Sequence, residues 1–431
     1  MTVVILHTDW NDAFTPNEPD IATIFIYLPV QYHRTSNSVW HFQIGKWKMR
    51  PVVNFMNIPR FSQPKMTLPS EWKLILPLDL PGAIRFRIDL KKRTLIGGPW
   101  TTVFSEGAKI EKTDYAKMLA TNAKKKGIIL NWASKSSHIS PFSNIIYNRV
   151  GRRSIEKSEE FQKDWSMHNQ SAHCFNYSFL DKQVTDQFIQ NDPTISRFRI
   201  PTDFLPWRNR LPNIRDTVVS SLQHQDVHFF KPIEGSGGHG IWRITYSNRA
   251  DSMLTLESST QKRHMHQNDF LQWMVNKLKL KAYIWQRGIT LATHGNQRFD
   301  VRALVQKNKH GQWTVSSLVV RIAPYHAWLC NQQQGAIVQP ANSICDESLI
   351  SKLKKVALLT ATSFQRQISW PYPPGEFGID LFVDQNEMIW IAEVNSKPSK
   401  QFLKTKSDGK IPKSIELMTD YFIYVHERQK E

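Results

Sequence analysis

A mixed fold, joining a small parallel α/β unit to α+β architecture, is predicted for this 431-residue chain on three observations. Over residues 93–205, short β-branched and aromatic segments alternate with helical stretches, the pattern of a parallel α/β domain. Further on, a glycine-rich loop lies between two strand-like segments and does not open a helix. Near residues 377–395, two alternating apolar/polar segments flank the short polar turn Gln385-Asn-Glu-Met388, which reads as a β-hairpin.

The elements follow in order. Residues 1–92 are rich in Pro, Trp and β-branched residues and read as a mostly β N-terminal unit without assignable chemistry. Residues 95–104 read as a strand running into a Gly-Pro turn, 113–126 as a helix, 127–132 as a buried strand, and 144–147 as another. A helical segment at 158–165 and the stretch 173–177 complete the α/β unit. The Pro-rich link Ile200-Pro-Thr-Asp-Phe-Leu-Pro206 is the expected boundary, giving units at 1–92, 93–205 and 206–431.

Composition narrows the function classes. No apolar run approaches the ~18 residues of a membrane span. The first ten residues lack the basic stretch of a secretory leader, so a cytoplasmic location is expected. Three cysteines, Cys174, Cys330 and Cys345, lack metal-ligand or redox spacing. The net charge of +19 suits an anionic partner, yet Lys and Arg are dispersed and no nucleic-acid-binding signature is present. A generic cationic surface is therefore favoured over a nucleic-acid face.

Two segments point to phosphate chemistry. His228-Phe-Phe-Lys231-Pro232 ends just before Gly235-Ser236-Gly237-Gly238-His-Gly240, and a β-branched, aromatic strand follows. Glycine N–H groups in such a flap can close over phosphates because no Cβ intervenes, and Lys231 adds a point charge. An ordinary glycine hairpin beside a surface lysine is the alternative. In Gln297-Arg-Phe-Asp300-Val-Arg302, Asp300 and Arg302 share a strand face, so Asp300 can orient the Arg302 guanidinium towards an anion. Arg321 lies on the expected partner strand, between buried Val320 and Ile322.

The hairpin carries the oxygen donors. With its turn centred on Asn386-Glu387, Asp380 faces Glu393, and Asn395 follows on the same side. Facing carboxylates destabilise a ladder. A divalent cation between them removes that conflict, and all-oxygen ligands suit magnesium.

Set in order, these segments resemble the ATP-grasp superfamily, and within it the YheC/YheD family of endospore coat-associated proteins. The matching residues are Tyr147-Asn-Arg149, Arg152-Arg153 with Glu156, Phe175-Asn176, Phe179-Leu-Asp-Lys182 and Pro201-Thr202. They continue through Lys231-Pro232, Gly235-Ser236, Gly240-Ile241, Tyr283-Ile284, Gln286 and Gly288-Ile289. Phe299-Asp-Val-Arg302, Gly378-Ile-Asp380 and Glu393-Val-Asn-Ser-Lys-Pro398 complete the set. Residues before about 95 are not covered. The resemblance implies an ATP-grasp fold preceded by a small α/β domain. It also implies ATP bound by Lys231 and the flap Gly235–Gly240, with Tyr283, Ile284 and Gln286 along the adenine. Magnesium would lie on Asp380, Glu393 and Asn395, with Arg302 and Arg321 on the γ-phosphate and acyl-phosphate. Two departures stand out: Asn331-Gln-Gln-Gln-Gly335 replaces an expected Asn-Leu-Ser, and residues 211–227 supply no second lysine.

The implied activity is ligation of a carboxylate substrate to an amine acceptor through an acyl-phosphate, in the spore coat or cell envelope, with an acidic peptide as one candidate substrate. A phosphotransferase on the same scaffold and a nucleotide-binding spore-coat structural protein are the alternatives.

Overall fold

The computed structural model describes residues 100–105, 113–126, 128–133, 145–168, 172–207, 211–224, 227–235, 238–325, 327–330, 334–399 and 411–428, with strand backbone alone before residue 100. Those early strands pair antiparallel, for example Ile21–Leu28 with Gly82–Asp89. The chain divides into two compact units, residues 1–177 with 404–431, and residues 178–403.

The first unit contains a parallel sheet of β1 (Trp100–Phe104), β2 (Ile129–Ala133), β3 (Ile145–Asn148) and β4 (His173–Phe175) in the order β2-β1-β3-β4. Between β1 and β2 runs α1 (Asp114–Lys125). Thr113 caps it by accepting from the Ala116 N–H, and Lys124 and Lys125 in its last turn suit the negative end of the helix dipole. The alternation of strand and helix that the sequence predicts for this region is present, although the first strand begins at Trp100 and not 95, and the second helix runs on to His168. A second helix, α2 (Glu159–His168), places Phe161 and Trp165 against Phe104. The C-terminal helix Lys413–Arg428 belongs to this unit: Asn122 donates to Thr419 Oγ1 at 2.7 Å, and Tyr421 meets Phe175 edge-on at 5.3 Å.

The second unit opens with α3 (Lys182–Asn191), capped by Asp181. Its first sheet is antiparallel and comprises β5 (Thr202–Leu205), β6 (Val227–Pro232), β7 (Trp242–Asn248), β8 (Met253–Glu257), β9 (Lys262–His266) and β10 (Tyr283–Arg287). Strand order is β5-β10-β6-β7-β8-β9. Two helices, α4 (Leu211–His224) and α5 (Gln267–Leu278), share a core with this sheet, including Ile214, Leu222, Phe230, Phe270 and Trp285. Thr202–Leu205, inside the link expected as a boundary, is thus an edge strand of this sheet.

The second sheet of this unit is also antiparallel. It comprises β11 (Gln297–Lys307), β12 (Trp313–Ile322), β13 (Ile337–Pro340), β14 (Glu376–Val383) and β15 (Ile389–Asn395), in the order β13-β12-β11-β14-β15. A two-residue strand, Thr293–His294, pairs with β11. A long helix, α6 (Glu347–Gln367), packs Leu353, Val356, Ala357 and Phe364 against Val301, Ala303, Val305, Ile379 and Leu381. Because side chains alternate along a strand, those core residues send Asp300, Arg302, Arg321 and Asp380 to the opposite face. The expected mixed class, with both helices and several sheets, is what the structure contains.

Candidate functional site

Charged residues converge on the face of the second sheet opposite α6, and register explains why. On β11, Asp300 lies opposite Arg321 of β12, while Arg302 lies opposite Asp380 of β14. Arg321 clasps Asp300 through Nε at 2.6 Å and Nη2 at 2.7 Å, and its Nη2 is 3.2 Å from Asp380 Oδ2. Arg302 clasps Asp380 through Nε and, at 2.7 Å, Nη2. Asp300 therefore orients Arg321, not Arg302 as the shared strand face suggested. Arg302 takes Asp380 across the ladder in place of Asp300 two residues along its own strand, and Arg321 takes Asp300 across the ladder.

Asp380 does face Glu393, but by a route the sequence reading missed. The turn is wound around Asp384, whose Oδ1 accepts the N–H groups of Asn386 and Met388 at 2.8 and 2.9 Å. Its backbone N–H donates to the Met388 carbonyl, and Val383 pairs with Ile389. This register alone would bring Ala392 opposite Asp380. A bulge at that point shifts the pairing by one and restores Glu393. The like-charge conflict at Asp380 is met by the two guanidiniums. Burial works to raise its pKa, and the charges of Arg302 and Arg321 outweigh burial and hold it below the usual carboxylate range. Asp300 moves the other way, pushed up to about 6 by burial against Arg321.

Lys231 and Lys182 stand beside Glu393. Strand β6 turns His228, Phe230 and Pro232 inward, leaving Lys231 on the other face, where it donates to Gln286 Oε1 at 2.6 Å. Gln286 is fixed in turn by donating to Thr202 Oγ1 at 2.9 Å. Burial pushes the Lys231 pKa down to about 8, helped by the Lys182 charge and opposed by Glu393. Lys182 donates to the Gly235 carbonyl at 3.0 Å and lies 3.9 Å from Glu393 Oε1. No role was assigned to Lys182 from sequence. A signal was present: it is the first residue of a helix, where a cation opposes the helix dipole and needs another partner.

In the flap, Gly238 and Gly240 have φ of 78° and 74°, the left-handed region that favours glycine. Ser236 and Gly237 lie outside the described residues, as do positions 331–333 of the Asn-Gln-Gln-Gln-Gly departure. The Tyr283 ring stacks on Phe230 at 4.0 Å inside the core. Ile284 is buried, and Gln286 shares its strand face by alternation.

The donors suit a hard cation in type. Glu393 keeps about a third of its side chain exposed (34%), and Asn395 follows it on the same face, half-buried. Asp380 supplies a third oxygen site, engaged by Arg302 and Arg321. Among the described residues no group of three or more His, Cys, Asp or Glu side chains is assembled to hold a metal ion.

A model of the YheC/D-like ATP-grasp domain matches residues 171–425. The chain is 25% identical over 291 residues to the endospore coat-associated protein YheD of Bacillus subtilis (strain 168), covering 62% of this chain and 59% of YheD. To YheC of the same organism it is 26% identical over 208 residues, covering 44% of this chain and 56% of YheC. The matches therefore span less than two thirds of either relative. D-cycloserine synthetase DcsG aligns with a TM-score of 0.50 at 11% identity, covering 75% of this chain and 99% of that one, a likeness of fold. With more than half of its length matched by the domain model, the chain belongs to the YheC/D-like ATP-grasp family.

Proposed function

We propose that this protein is an ATP- and magnesium-dependent ligase that joins a carboxylate to an amine. The observation that carries the reading is the convergence of Lys182, Lys231, Arg302 and Arg321 on one carboxylate pair, Asp380 and Glu393. Such a cluster of cations and oxygen donors suits phosphoryl transfer, where positioning and charge neutralisation dominate. Cysteine nucleophiles fit poorly: burial pushes the Cys174 thiol up to about 12 and raises Cys330 and Cys345 as well.

In the proposed first step a substrate carboxylate oxygen attacks the γ-phosphorus of ATP, and the bond to the ADP leaving group breaks. Lys231 and the flap amides hold the phosphate chain, and the arginines take up charge on the transferred group. Magnesium on Glu393, Asn395 and Asp380 would supply further neutralisation. In the second step an amine attacks the acyl carbon, phosphate departs, and the amine loses a proton to give the amide. The names of YheD and YheC support a coat-associated setting for that product. They also favour a second reading, a coat protein that binds nucleotide without turnover.

The test is ADP release with pooled candidate acids and amines, with Glu393→Gln as control. A ligase gives substrate-dependent ADP and free phosphate that Glu393→Gln loses; a phosphotransferase gives ADP with phosphate left on the acceptor. Equal background from both proteins, together with thermal stabilisation by a non-hydrolysable ATP analogue, selects the non-turnover reading.

A further inference from the structure

Four charged side chains form an alternating chain on the second sheet, Arg302–Asp380–Arg321–Asp300. Arg302 holds both oxygens of Asp380, and Arg321 holds both oxygens of Asp300 while reaching Asp380 Oδ2 at 3.2 Å. Both carboxylates are buried, Asp380 at 5% and Asp300 at 4% exposure, and the two positive and two negative charges cancel. The chain is not symmetric in what each arginine can lose. If Asp380 turns away, Arg321 keeps its bidentate partner Asp300. Arg302 loses the carboxylate that holds it, in a position where its side chain is 13% exposed. A buried guanidinium stripped of its partner is strongly destabilising unless another anion arrives.

Asp380 is also the buried oxygen donor paired across the ladder with Glu393, on the face that carries Glu393 and Asn395. A divalent cation and Arg302 therefore compete for the same carboxylate. A phosphate chain and Asp380 compete for the same guanidinium. Filling one role vacates the other. Gly378 lets Pro398 and the guanidinium pack closely on the strand: a Cβ there would lie 2.7 Å from Pro398 Cβ and 3.3 Å from Arg302 Nη1.

We propose that Arg302 gates Asp380: a polyphosphate captures the guanidinium, and the carboxylate so released completes the cation site. Metal alone then binds weakly, and metal and polyphosphate bind with positive coupling. The inference rests on the nucleotide–metal reading of this face and adds an exchange of partners within it. Coupling is reciprocal, and such energies correspond to roughly 5–150-fold in affinity.

The test uses the full chain and Mn2+ alone, with free Mn2+ counted by electron paramagnetic resonance. Arg302→Gln is expected to bind Mn2+ at least about tenfold more tightly than wild type. The double variant Arg302→Gln/Asp380→Asn is expected to lose that gain. Unchanged or weaker Mn2+ binding in Arg302→Gln, or a gain that survives in the double variant, overturns the proposal. Should Arg302→Gln fail to fold by circular dichroism, the reciprocal arm decides. Asp380→Asn frees Arg302, so inorganic tripolyphosphate in EDTA binds it more tightly than wild type in calorimetry; unchanged or weaker binding overturns the proposal. Neither arm contains nucleotide, so failure of an ATP analogue to bind counts against the proposed function and is read separately.

Discussion

Lys231 shows how local surroundings set what one side chain can do. Burial and the nearby Lys182 charge bring its pKa down to about 8, while Gln286 Oε1 at 2.6 Å fixes its direction. Near neutral pH it is mostly charged; above about 8 it loses its proton in the free protein. A phosphate chain beside it favours the charged form and raises that pKa in the complex, so binding takes up a proton above pH 8. Nucleotide affinity should therefore be nearly constant from pH 6.5 to 7.5 and fall towards roughly tenfold per pH unit above 8. Titration of a fluorescent ATP analogue at pH 7, 8 and 9 measures this. Lys231→Gln should bind more weakly at pH 7 and show a flatter profile. An equally steep profile in the variant would assign the titration to another group.

At the scale of the element, strand register is what builds the site, and register is only partly legible in sequence. Alternation alone separates Val301, Ala303 and Val305 from Asp300 and Arg302, and it marks β14 in the same way. The pairing of Asp380 with Glu393 also follows from the hairpin, although the Asp384-centred turn and the bulge each displace the register and cancel. The choice of ionic partner was not legible. Asp300 and Arg302 are neighbours in sequence, but their partners come from two different strands, and although β12 is the expected neighbour of β11, no local pattern places β14 on its other side. Lys182 carries only the signal of a cation at a helix start, because a long-range fold brings it to Gly235 and Glu393. Gly288 shows a constraint of the same kind. A Cβ there would lie 2.7 Å from Val227 Cγ1 and 2.8 Å from the Val227 carbonyl oxygen, with which the Gly288 N–H is bonded. Gly288→Ala must push β10 from β6, next to the Gln286 that orients Lys231. A loss of about 1–3 kcal/mol in urea unfolding, with weaker nucleotide binding, is expected. Unchanged stability would mean that the strand end shifts without cost.

Across the whole molecule, sequence order and spatial grouping diverge. The family model spans residues 171–425, yet residues 411–428 belong to the first compact unit and 178–399 to the second. The C-terminal helix is tied to the first unit by side chains that sequence inspection does not link. Asn122 of α1 meets Thr419, Lys126 meets Asp420 at 2.5 Å, and Phe422 lies 5.9 Å from both Tyr147 and Phe175. Tyr421 and Phe422 are at most 1% exposed, so removing them uncovers large aromatic faces on β3 and β4. Burial of one such ring is worth about 1.5–3 kcal/mol, and a helix carrying several holds much of a small sheet's stability. Truncation before residue 411 should therefore abolish slow hydrogen exchange over residues 100–177. The second unit has its own two cores, neither drawing on residues 411–428, and should keep its protected amides in β11 and β14. Exchange mass spectrometry on the truncated chain distinguishes the outcomes. Loss of protection in both units together would show that the C-terminal helix supports the nucleotide-site unit as well; retention in both would show that the four-stranded sheet stands without it.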